Sequence, residues 1–386
     1  MKFAYNPDWL KNLLIVKEAK QWMVSGLISK EQYKIIAEQY PSGFYHPNMI
    51  IRILLLLATG VVLGAITGLL ILMVMDTDES VMSVLSIIYG IISMLVLDRF
   101  FIASKNHYKS GINEAILYHS VLFVMLGLIE FFKESPTPYA IVLGCVLTFT
   151  AYRYLDLIST IGALCSFGWL VFYWLYQAGG TVQQIIPMVF IVLFTPLYFG
   201  FKELKKKPAN EAWENCLIMA QSVCLLFIYA AGNYFVVREL SVEMLELDLQ
   251  EGQDIPLAFV FYGLTVLIPS LYLYFGLKNK DLVLIRVSLV VLAFSVLTFK
   301  YYFSLGHHEI TLTVSGLILL GISVTLLRWL KVPQHGYTRE NILNEKWANS
   351  NAQAFIVSQT LSAAKAPEAH QFGGGESGGG GTASKF

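Results

Sequence analysis

Charge is what this sequence has least of. Asp, Glu, Lys and Arg together make up 14% of its 386 residues, about half the roughly 25% of soluble domains. A soluble fold needs polar side chains to cover its exterior, so that class is excluded. The 27 basic and 27 acidic residues cancel, which leaves no net field to gather a polyanion, and no nucleic-acid partner is expected. Cysteine is scarce as well. Cys145, Cys165, Cys216 and Cys224 lie in or at the edge of apolar runs, and none forms a C-x-x-C pair. They read as small buried hydrophobes rather than metal ligands. GxGxxG, P-loop, GxSxG, HExxH and paired-carboxylate patterns are all missing, so no enzyme activity, catalytic residue or cofactor is expected. The start, MKFAYNPDWLKNLL, has neither a long apolar stretch nor a small-residue cleavage site, and does not read as a secretory signal peptide.

What is present is apolar. Hydrophobic residues make up 56% of the chain, in blocks of about 18–25, the length a helix needs to cross a bilayer core of roughly 30 Å. The fold class is therefore all-α: a polytopic helical membrane protein with about ten transmembrane helices. The spans are expected at 50–74, 82–103, 112–132, 139–154, 157–178, 184–201, 213–236, 256–277, 281–302 and 309–330. Four segments follow: an amphipathic helix pair at 1–48, a membrane domain at 49–330, a partly helical segment at 331–371 and a glycine-rich tail at 372–386. In the first, Trp9, Leu13, Ile15, Ala19 and Met23 are expected on one helix face. Ser29 with Gln32 forms a capping box that opens the second helix.

Basic residues orient the spans. With the N-terminus in the cytoplasm, 24 of the 27 Lys and Arg fall on the inner side, and only Lys133, Arg238 and Lys300 fall outside. The positive-inside rule then places both termini in the cytoplasm.

Polar residues inside a bilayer are functional candidates. Asp98, Arg99, Asn113 and Glu114 gather at one interface, in reach of Arg153 and Asp156. They read as a structural network or as a proton or ion step. Glu114, His119, Gln221, Asn233 and Tyr262 are the residues a polar pathway would use, and Pro187, Pro196 and Pro269 are expected to kink the sixth and eighth spans. His119 is read either as a hydrogen-bonded core residue or as a proton carrier. Gly60, Gly64 and Gly68 share one face of the first span, for close packing inside the chain or between two copies. His307, His308 and Glu309 are adjacent and so lack the i, i+4 spacing of a zinc helix; they read as interfacial, with metal binding the lesser alternative. The loop at 238–256 holds six acidic residues against one Arg, and reads as solvated or cation-recruiting.

The stretches WMVSGLISKEQYKIIAEQY, YKSGINEAILY and FKYYFSLGHHEITLTVSGLILLGISVTLLRWL resemble those of a large bacterial group of predicted multi-pass membrane proteins of unknown function. The resemblance covers about a quarter of the chain. It implies a bacterial inner-membrane location and supplies no catalytic residues. The tail FGGGESGGGGTASKF, with seven glycines in 15 residues, is similar in composition to the glycine-rich tails of several bacterial envelope proteins, including some with TPM domains. Glycine runs are ordinarily flexible linkers. The sharper reading is a strand docked in a partner's groove, anchored by Phe372 and Phe386. Two functions are thus expected: a scaffold or partner-docking subunit of a membrane complex, able to oligomerise, or a transporter or channel for a small solute or ion. The lipid bilayer is a partner in either.

Overall fold

The computed structural model describes residues 3–243 and 254–302, with scattered positions from 313 to 328. Among these residues the chain is helical, broken by one isolated bridge between Tyr45 and His107. Two compact units divide it.

In the smaller unit the described residues are 11–42 and Arg328. The unit holds most of α1 (Pro7–Val24) and all of α2 (Lys30–Gln39). Ile15, Ala19 and Trp22 recur at helical spacing and pack on Ile28 and Ile36. The turn between the helices uses Gly26 at φ 75°. The expected capping box forms: Gln32 N–H donates to Ser29 Oγ at 3.2 Å, and Ser29 N–H donates to Gln32 Oε1 at 2.8 Å. Trp22 anchors this core at 2% exposure. Trp9, expected on the same face, belongs to the larger unit and sets its ring edge-on against Phe44.

The larger unit holds α3 (Met49–Val74), α4 (Glu79–Val96), α5 (Ile112–Ile129), α6 (Pro136–Tyr154), α7 (Leu157–Ala178), α8 (Thr181–Gln184), α9 (Ile186–Lys206), α10 (Glu214–Gly232), α11 (Tyr234–Glu243), α12 (Ala258–Lys278) and α13 (Leu282–Tyr302). Helices adjacent in sequence pack as hairpins: α4 on α5, α6 on α7, α9 on α10 and α12 on α13. α10 is the hub, touching α7, α9, α12 and α13, and half of its apolar window is buried. Its core includes Cys224, Leu225 and Ile228, with Phe194 from α9 and Val291 from α13. α3 sits at the other extreme. It packs chiefly on α5, and only 6% of its window is buried.

Eight helices among the described residues are long and apolar enough to cross a membrane. They match eight of the ten expected spans. α6 is a 19-residue helix at the place of the fourth expected span, but its prolines, threonines, tyrosines and Arg153 dilute its hydropathy and it is not one of the eight. The tenth expected span, at 309–330, lies largely outside the described residues. Pro187 sits in the first turn of α9, where the missing N–H has no helical partner to lose, so it starts that helix instead of kinking it. Pro196 and Pro269 lie within α9 and α12, which continue through them.

Glycine brings helices together in a different place from the one expected. A Cβ on Gly90 of α4 would stand 2.8 Å from the Ser120 carbonyl oxygen of α5, and one on Gly127 of α5 would fall on the Ser83 carbonyl oxygen of α4. These two positions let α4 and α5 approach closely. Around Gly60, Gly64 and Gly68 of α3 there is open space, so these three do not pack against another described helix of the chain.

Candidate functional site

At one end of the larger unit, the first turns of α3 and α5 meet the end of α6 and the start of α7. Gly111 makes the junction possible. It precedes α5 at φ 90°, and a Cβ there would fall on the Arg52 carbonyl oxygen. Its N–H donates to Glu114 Oε2 at 2.7 Å, while Arg52 Nη2 donates to Glu114 Oε1 at 2.6 Å. Glu114 is 7% exposed, and a carboxylate so enclosed is tolerated only when paired and hydrogen-bonded.

The α6–α7 turn supplies the other wall. Leu155 adopts a left-handed conformation, φ 55°, which reverses the chain so that Asp156 can cap α7. Asp156 Oδ2 accepts from Ser159 N–H at 2.7 Å, and Oδ1 accepts from the Tyr118 hydroxyl at 2.8 Å. Behind this wall Arg153 pairs with Asp98, and the Tyr154 hydroxyl donates to Asp98 at 2.8 Å. Asp98 belongs to a π-helical continuation of α4, Leu97–Ser104. The loop before α5 is fastened by the Ser110 hydroxyl donating to Asn113 Oδ1 at 3.1 Å, and by Asn113 Nδ2 donating to the His107 carbonyl at 2.9 Å.

These groups surround a cavity of about 250 Å³ lined by Tyr5, Arg52, Lys109, Asn113, Glu114, Tyr118, Tyr154 and Asp156, with Leu97, Leu117, Leu155, Leu157 and Ile158. The N-terminal segment lies against it. The Ala4 N–H donates to the Arg153 carbonyl at 2.9 Å. Tyr5 packs edge-on to Phe44 and Tyr108 and hydrogen-bonds Asn113. Burial raises the Tyr5 hydroxyl well above its ordinary range and pushes Tyr108 up to about 12, so both hydroxyls stay protonated. Burial also lowers the pKa of His107, and the nearby Lys105 charge adds to the shift.

The five residues expected on one polar pathway are divided. Glu114 lines the charged cavity. His119 Nε2 lies 3.1 Å from the Tyr89 hydroxyl, its ring against Phe123. Gln221, 1% exposed, donates to the Leu217 carbonyl of its own helix at 3.2 Å. Asn233 ends α10, donating to the Tyr229 hydroxyl at 2.8 Å and to Thr298 of α13 at 3.0 Å. Tyr262 stacks on Tyr234, and both hydroxyls donate to Asp254, at 3.0 and 2.7 Å. A second cavity, of about 470 Å³ and mostly apolar, lies between α7, α9, α10 and α11. None of the five lines it.

Sequence reasoning grouped Asp98, Arg99, Asn113, Glu114, Arg153 and Asp156 at one end; Asn113, Glu114 and Asp156 line the cavity and Asp98 pairs with Arg153 behind it, while Arg99 is exposed and does not line it. It missed Arg52 as the partner of Glu114, and it missed Tyr5, Lys109, Tyr118 and Tyr154. Tyr118 could have been found, since it follows Glu114 by four residues and so shares its helix face. Arg52 and Tyr5 come from distant segments and carry no such signal. No group of three or more His, Cys, Asp or Glu is placed to hold a metal among the described residues. His307, His308 and Glu309 lie outside those residues, as do Phe372 and Phe386.

The fold defines a class, a helical protein with eight membrane-competent helices among the described residues and a charged cavity at one end. Comparison with protein families, curated proteins and solved structures finds no match to this chain.

Proposed function

We propose that this chain is a docking subunit of a bacterial inner-membrane complex, with ten spans and both termini in the cytoplasm. The observation that carries the reading is the separation just described. His119, Gln221, Asn233 and Tyr262 each find a hydrogen-bond partner within their own neighbourhood, as residues that specify helix packing do, instead of converging on one path. The open glycine face of α3, on the least buried of the eight helices, supports a protein contact inside the bilayer. The 24 to 3 division of basic residues supports the orientation.

The test is purification of the full chain in mild detergent followed by native mass spectrometry. A stoichiometric partner or a second copy is expected. Phe372→Ala with Phe386→Ala is expected to release a partner held by the tail, and Gly64→Leu to release one held by α3. If the chain comes out alone and neither change alters its mass distribution, the docking reading fails. Solute transport is the second reading, favoured by the charged cavity that Glu114 lines. It requires proteoliposome flux that Glu114→Gln abolishes.

A further inference from the structure

We propose that the charged cavity holds the headgroup of a lipid carrying a phosphate and a primary ammonium. This inference rests on the membrane-competent helices and is independent of the docking reading.

Position comes first. Arg52 lies in the first turn of α3 and Glu114 in the first turn of α5, while Tyr154 closes α6 and Asp156 caps α7. In a chain whose helices cross a bilayer, a cavity at the helix ends lies at headgroup depth. Ile158, 59% exposed, stands in its lining and gives an attached acyl chain an apolar exit.

Size agrees. At roughly 30 Å³ per water, 250 Å³ has room for about eight, so a phosphoethanolamine group, whose bonded atoms each take less space than a water, fits with room to spare.

Charge selects the ligand. The lining carries two cations, Arg52 and Lys109, and two anions, Glu114 and Asp156. A simple anion or a simple cation is attracted by one pair and repelled by the other, whereas a zwitterion is attracted by both. The Glu114 bond uses one nitrogen of Arg52, whose guanidinium has five N–H donors and suits a phosphate. A primary ammonium needs acceptors for three N–H groups; the Asp156 carboxylate and the Tyr118 and Tyr154 hydroxyls provide them. A trimethylammonium has no N–H to give.

Backbone strain points to the same place. Lys109, φ 47°, and Leu155, φ 55°, both line the cavity. Left-handed conformations at non-glycine residues are enriched at ligand sites, and these are two of the five such residues described.

The test uses the full chain in detergent and follows thermal melting against short-chain phosphatidylethanolamine, phosphatidylcholine and phosphatidylglycerol, with soluble phosphoethanolamine as a fourth probe. The ethanolamine lipid is expected to stabilise the protein saturably and to bind roughly ten-fold or more tighter than the other two lipids, the effect of one charge-assisted hydrogen bond. Asp156→Asn keeps one oxygen to cap α7 and places an amide N–H opposite the Tyr118 hydroxyl, which can turn to accept it, and is expected to erase the preference over phosphatidylglycerol. Lys109→Gly removes a cation from a position glycine prefers. It is expected to weaken binding of the ethanolamine lipid roughly ten-fold or more, whereas loss of a purely structural lysine would lower the lipid-free melting temperature and leave the lipid's affinity unchanged. Equal affinity for the three lipids overturns the proposal, as does Lys109→Gly with unchanged lipid binding. Soluble phosphoethanolamine binding as tightly as the lipid overturns the lipid assignment and leaves a soluble zwitterion as the ligand.

Discussion

Gly111 concentrates more consequence than any other single residue of the charged end. Its φ of 90° is strained for any other L-residue, and the space its Cβ would take is filled by the Arg52 carbonyl oxygen. Gly111→Ala is expected to cost about 1–3 kcal/mol or more, from strain and overpacking together, and to appear as a lower melting temperature in detergent. Arg52→Ala leaves a buried carboxylate without its cation. The expected loss is about 3–5 kcal/mol at full burial, less here because Arg52 is 35% exposed. Glu114→Gln in the same chain should recover much of it, and a double-mutant cycle on melting curves checks the coupling. His107 gives a pH dependence. Burial lowers its pKa in the folded state, so below the unfolded value of about 6.5 the unfolded chain binds the proton more readily. Stability should therefore be full above pH 6.5 and fall as the pH drops below it. His107→Gln should flatten the melting temperature over that acid range.

At the scale of the element, two glycine patterns make opposite predictions. Gly64 faces open space, so in a monomer Gly64→Ala should be neutral or slightly stabilising, by up to about 1 kcal/mol from helix propensity. Gly127 faces the backbone of α4, and Gly127→Ala should push α4 and α5 apart and lower the melting temperature by several degrees. Paired melting curves of the two variants decide the matter. The contrast also marks what was legible. Apolar length locates helices because the bilayer imposes it, and Ser29 with Gln32 locates a helix start because a cap is local chemistry. A four-residue glycine spacing locates a face without saying what that face meets. Gly90 and Gly127, which do meet backbone, stand alone in their helices, and their role depends on a partner far away in sequence. The charged cavity divides in the same way. Glu114, Asn113 and Asp156 are conspicuous in an apolar chain. Arg52, Tyr5 and Lys109 join them only through a junction that Gly111 permits.

For the whole molecule, the proposed orientation is the quantity to test. Single cysteines in a background free of the native four, at Lys133 and at Lys206, sit on opposite sides in the 24 to 3 reading. An impermeant maleimide applied to intact cells is expected to label the first and spare the second. Reversed labelling would put both termini outside and remove the cytoplasmic helix pair and tail from any role with cytoplasmic partners.

The turn at Leu155 bears on how such a molecule is made. α6 has the length of a membrane helix without the hydropathy of the other eight, and one left-handed residue ties it to α7, which has both. A segment this polar partitions poorly by itself, because each tyrosine, threonine and arginine adds to the transfer cost. On the ten-span reading it enters the bilayer only as half of a hairpin, with its neighbour supplying the driving force. During synthesis the segment should thus wait at the membrane surface until α7 has emerged. A nascent chain cut after Tyr154 should leave α6 open to protease, and one extended through Ala178 should protect it.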